Sequence, residues 1–94
     1  MDDTGTPGGG HIHAIDFATF VLSLSTSAMV HLGAVPDPER QKPERNLPLA
    51  KQTIDILGLL KEKTRGNLTP EEARLLDELL FDLRMRYLDA GKRE

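Results

Sequence analysis

The chain has no cysteine, no tryptophan, one tyrosine and three phenylalanines. Without cysteine it has no disulfides, no thiolate chemistry and no Cys-type zinc site, which fits a cytoplasmic protein. With aromatics at 4%, a core has to come from Leu, Ile, Val, Ala and Met. The net charge is -3 at pH 7, so the basic field that non-specific nucleic-acid or anionic-membrane binding needs is missing. No basic region precedes the first apolar stretch, and a signal peptide is not expected. One further absence is local. In a chain that is 29% charged, no Asp, Glu, Lys or Arg occurs between Asp16 and Asp37.

That gap holds FATFVLSLSTSAMVHL, from Phe17 to Leu32. A helix with no charged face has no obvious side to give to water, so it needs cover from the rest of the chain, a second copy or a partner. Phe17, Phe20, Val21, Leu24, Ala28 and His31 recur at helical spacing and form one face, widened by Ala18, Leu22 and Met29. Thr19, Ser23, Thr26 and Ser27 lie opposite; their hydroxyls can bond the carbonyl four residues earlier, which lets that side be buried as well. Asp16 is an N-cap residue and Gly33 suits the C′ position. The run is shorter than the ~20 residues of a membrane span and lacks basic flanks, so no membrane insertion is expected.

Ninety-four residues allow one small domain, and a chain of this size buries only roughly 60% of its unfolded surface. Residues 1–13 open with an acidic, then Pro- and Gly-rich run and read as a disordered tail. Residues 34–46, with Pro36, Pro38 and Pro43, read as a charged linker that no helix can cross. A second helix is expected from Leu47 to Thr64, with Asn46 as N-cap and Pro48 in the first turn. Ala50, Ile54 and Leu57 make one stripe on it, and Leu49, Thr53, Ile56 and Leu60 a second. Two stripes imply two neighbours. Gly58, costing roughly 1 kcal/mol against Ala in mid-helix, implies close approach of another helix. Lys61 and Lys63 suit the helix C-terminus and Gly66 closes it.

The third helix opens on Thr69-Pro70-Glu71-Glu72, a capping box with Pro at N1 and Glu at N3. Ala73, Leu76, Leu80, Leu83, Tyr87 and Ala90 then step by 3 and 4, a coiled-coil-like seam. Leu75, Leu79, Phe81, Met85 and Leu88 flank it, so the apolar arc is wider than one seam. Asp82 and Arg86 form an i,i+4 pair, and Gly91 is expected to end the helix before a polar tail, residues 91–94. The short link makes helices two and three an antiparallel hairpin. The fold class is all-α, a three-helix arrangement with a helix 2–helix 3 antiparallel hairpin and an apolar first helix completed by self-association or a partner.

Chemistry-bearing residues are few. His11, His13 and Asp16 form the only metal-like cluster, short of the three or four ligands a zinc site uses, so solvated tail histidines are the default. His31 reads as a packed side chain, and Asp55 as a solvated or ion-paired charge without a base-type partner. Gly8-Gly9-Gly10 lacks both the preceding strand and the Lys-Ser/Thr of a phosphate loop. Arg40, Lys42 and Arg45 in the linker, and Arg74, Arg84 and Arg86 on the third helix, are docking candidates on exposed surface. No catalytic residue and no cofactor is expected.

Three stretches carry a resemblance: FATFVLSLSTSAMVHLG, NLPLAKQTIDILGLLKEKT and GNLTPEEARLLDELLFDLRMRYL. Together, from about Asp16 to Leu88, they resemble a family of short bacterial proteins known only as a domain of unknown function. That family includes polarity adaptors of the RomX type found in gliding bacteria. The resemblance implies a non-enzymatic adaptor. Its partners would be a Ras-like small GTPase of the MglA kind, in the GTP-bound form and with help to nucleotide exchange, and a response regulator of the RomR kind at the cell pole. The family supplies no catalytic residues. From the residues themselves two other readings stand beside it. One is a structural homo-oligomer built on the apolar face Phe17, Phe20, Val21, Leu24 and Ala28; the other is a small metal-binding protein using His11, His13 and Asp16.

Overall fold

The computed structural model describes residues 15–35 and 45–92. They form three helices: α1 Phe17–His31, α2 Leu47–Lys63 and α3 Pro70–Lys92, with no strand among the described residues. Local chemistry accounts for nearly every helix end. The Asp16 carboxylate accepts the Thr19 N–H (2.8 Å) and caps α1. The Asn46 amide oxygen accepts the Leu49 N–H (3.1 Å) and caps α2, where Pro48 occupies the first turn. At α3 the capping box is complete in both directions: Glu72 N–H donates to the Thr69 hydroxyl (3.1 Å), and Thr69 N–H donates to the Glu72 carboxylate (2.9 Å).

α1 ends in a Schellman motif. Gly33, at φ +78°, donates its N–H to Val30, and Ala34 donates to Met29, both at 2.9 Å. The chain re-enters beside this turn: Asn46 N–H donates to the His31 carbonyl (2.7 Å), and the Arg45 guanidinium reaches the Ala90 carbonyl (3.4 Å). The end of α1, the start of α2 and the end of α3 are thus tied at one end of the bundle. At the other end the turn after α2 passes through Gly66 at φ +84°, and Lys61 of α2 pairs with Asp77 of α3 (2.8 Å).

Every helix packs on both others. The core is aliphatic: Val21, Ala28 and Leu32 from the first segment, Ala50, Ile54 and Leu57 from α2, and Leu76, Leu80, Leu83 and Ala90 from α3. The expected three-helix class and the α2–α3 hairpin are therefore found, and one face of α1 is covered by its own chain.

Several faces differ from the periodic reading. The line Val21, Ser25, Ala28, Leu32 is the one that α1 buries; Phe20, expected on that face, is 42% exposed. The hydroxyl side is not buried. Thr19, Ser23, Thr26 and Ser27 are exposed, with Ser23 and Thr26 donating to the Thr19 and Leu22 carbonyls (2.9 and 3.0 Å). A row of hydroxyls serves as the solvent face that charges would otherwise provide. On α2, Thr53 and Leu60 of the second stripe pack inward, whereas Leu49 and Ile56 face outward. The expected close approach at Gly58 involves a side chain: a Cβ there would lie 3.2 Å from an Arg84 guanidinium nitrogen. α3 continues through Gly91 to Lys92, since Gly91 does not take the positive φ by which Gly33 ends α1.

Candidate protein-interaction surface

Nine large hydrophobic side chains stay substantially exposed, and most sit on α2 and α3. On α3 they line up. Phe81 (70% exposed), Met85 (52%) and Leu88 (58%) follow i, i+4, i+7 spacing and make one outward stripe. Arg74, seven residues before Phe81, leads into that stripe, and Arg84 borders it on the side facing α2. A contiguous apolar strip with a polar rim on a small chain is the mark of a binding surface.

Arg84 is placed by Gly58. With no side chain at that position, one guanidinium nitrogen lies against the middle of α2, while Arg84 as a whole stays exposed. Beside it is a groove of about 260 Å³ lined by Lys51, Ile54 and Asp55 of α2 and Arg84, Tyr87 and Leu88 of α3. Ile54 and Leu88 form its apolar part. Lys51 and Asp55 at its rim are an ion pair (2.8 Å), and the hydrogen bond to Asp55 raises the Lys51 ammonium above its usual range. The groove and stripe together offer apolar contact with a rim of mixed charge, Lys51, Asp55 and Arg84.

The other sequence candidates fall apart spatially. Arg86 pairs with Asp82 (2.8 Å) on a different side of α3. Arg45 serves the tie between helix ends. Arg40, Lys42, His11 and His13 lie outside the described residues. Asp16 is committed to capping α1, and the Thr19 N–H holds its carboxyl below the ordinary range. Of the proposed self-association face, Val21 and Ala28 are fully buried within the chain, Phe17 and Leu24 are half-buried against the core, and Phe20 is exposed. Among the described residues no group of three or more His, Asp or Glu could hold a metal ion, and no helix is long and apolar enough to cross a membrane.

The groove has no contiguous pattern in the sequence. Its signals were present, in Gly58 and in an apolar arc on α3 wider than one seam, but neither says which α3 residue meets α2.

A model for a domain of unknown function, DUF1844, matches residues 14–89. The chain belongs to the DUF1844 family. The match takes in all three helix starts, every core residue but Ala90, and the α2–α3 groove, so the whole candidate surface is built from DUF1844 sequence. No curated protein and no solved structure matches this DUF1844 chain.

Proposed function

We propose that this DUF1844 protein is a non-enzymatic adaptor that docks a protein partner through the outer stripe of α3 and the adjoining α2–α3 groove. The observation that carries this is the exposed line Phe81, Met85, Leu88 beside Arg84. Keeping three large apolar side chains in water on a helix whose other face is fully packed is unfavourable unless something covers them. The specific form rests on the resemblance to RomX-type polarity adaptors. The partner is then a Ras-like GTPase of the MglA kind in its GTP-bound form, with a response regulator of the RomR kind as a second partner at the cell pole, in the cytoplasm. An adaptor of this sort needs no chemistry of its own. Binding the GTP state more tightly than the GDP state shifts the GTPase toward GTP, by the differential affinity, and so favours exchange.

The test is size-exclusion chromatography with light scattering, using a Ras-like GTPase loaded with GDP or with a non-hydrolysable GTP analogue. A complex with the GTP form alone, lost in Phe81→Glu, is expected. Absence of a complex in both states overturns the GTPase form and leaves the adaptor reading to other partners. A complex that Phe81→Glu does not weaken overturns the choice of surface.

A further inference from the structure

A second apolar strip lies on the outer face of α2. Leu49, Gln52, Ile56 and Leu59 step by 3, 4 and 3, the spacing of a coiled-coil seam. All four are exposed, the three hydrophobic ones between 40% and 57%. The strip is distinct from the face that α2 turns to the core, Ala50, Thr53, Ile54 and Leu57. It is bordered by the Lys51–Asp55 ion pair, and strip and pair together line one shallow depression on α2.

We infer that this face of α2 binds a second copy of the chain, the two α2 helices running antiparallel about a two-fold axis near residue 54. The pattern is self-complementary. Leu49 and Leu59 are equally far from residue 54, and so are Gln52 and Ile56. Across the axis, Leu49 of one copy therefore meets Leu59 of the other, and Gln52 meets Ile56, as an isologous interface requires. Charge selects the direction. In the antiparallel arrangement Lys51 of each copy comes beside Asp55 of the other, giving an alternating ring of four charges. In a parallel arrangement the two ion pairs fall on opposite sides of the seam and make no such contact. The contact is short, so it falls below the ~1,200 Å² of standard interfaces and makes a weak, concentration-dependent dimer. It shares Lys51 and Asp55 with the rim of the α2–α3 groove and does not rest on the proposed function.

Sedimentation equilibrium of the full chain, taken to about 1 mM, tests it. The expected result is a monomer–dimer equilibrium reaching twice the 10.4 kDa of one chain. Leu59→Asp should raise the dissociation constant at least about a hundredfold, since each dimer would bury two unpaired charges, while helicity is unchanged because Leu59 is outside the core. Because the chain has no cysteine, a short bismaleimide reports direction. Leu49→Cys mixed with Leu59→Cys should cross-link into a covalent dimer, and Leu49→Cys alone should not. A chain that stays monomeric throughout, a dimer that survives Leu59→Asp, or cross-linking of Leu49→Cys to itself overturns the inference.

Discussion

Single residues decide where the helices of this protein begin and end, and their contributions are separable. Thr69 and Glu72 satisfy one another's backbone N–H groups at the start of α3. Thr69→Ala should cost about 1 kcal/mol, read as a drop of several degrees in the thermal midpoint. Gly33 sits at φ +78° in the Schellman turn, where any Cβ is strained. Gly33→Ala should cost about 1–2 kcal/mol. Gly58 is the opposite case. Its backbone is ordinary helix, and the only atom crowding a new Cβ is the tip of the Arg84 side chain. Gly58→Ala should raise stability by up to ~1 kcal/mol through helix propensity, while displacing Arg84 and weakening partner binding. Denaturation and binding measured on the same variant would show the two effects moving in opposite directions. A variant weakened in both would mean that the guanidinium cannot move aside.

At the scale of an element, α3 is one helix with two functions. Leu80 is 2% exposed and its neighbour Phe81 is 70% exposed. Leu80→Ala should therefore destabilise by about 2–5 kcal/mol, whereas Phe81→Ala should stay within about 0.5 kcal/mol in urea denaturation and instead reduce partner binding. Equal losses of stability at both positions would mean that the outer stripe is packed in the isolated chain. α1 shows a different economy. It carries no Asp, Glu, Lys or Arg, yet it keeps a solvent face by directing hydroxyls outward and tying two of them back to its own carbonyls.

For the whole molecule the ion pairs are exposed and individually modest, but they give the pH response its shape. The Asp16 carboxyl is lowered from its usual 3.8 by the Thr19 N–H, and the Glu62 carboxyl from 4.5 by its hydrogen bond to Arg65. A group whose pKa is depressed in the folded state stabilises above its unfolded pKa and loses that contribution as pH falls through the folded one. Lys51, raised from 10.5 by Asp55, stabilises below its unfolded pKa and loses its contribution only as pH rises through the raised value. The thermal midpoint should accordingly be level between about pH 6 and 9, fall below about pH 4, and decline again above about pH 10.5. Asp16→Asn, which keeps a capping oxygen, should flatten part of the acid fall; an unchanged acid limb would show that Asp16 does not contribute to it.

The helices are legible in local sequence. Asp16, Asn46 and the Thr69–Glu72 box mark three starts, and Gly33 marks one stop, because capping is a contact between residues a few positions apart. Most of the α3 seam is legible there too, since Leu76, Leu80 and Leu83 sit at the only spacing that keeps them on one line. Which apolar stripes would be covered was decided only by the tertiary structure. Periodicity puts Leu49 with Thr53, and Phe20 with Val21, but only the placement of the neighbouring helices turns Thr53 and Val21 inward and leaves Leu49 and Phe20 in water. The groove has the same origin. Gly58 and Arg84 are 26 positions apart, and no local pattern couples them. Their meeting depends on the register in which α3 returns along α2, and that register is set by the packing of the whole core.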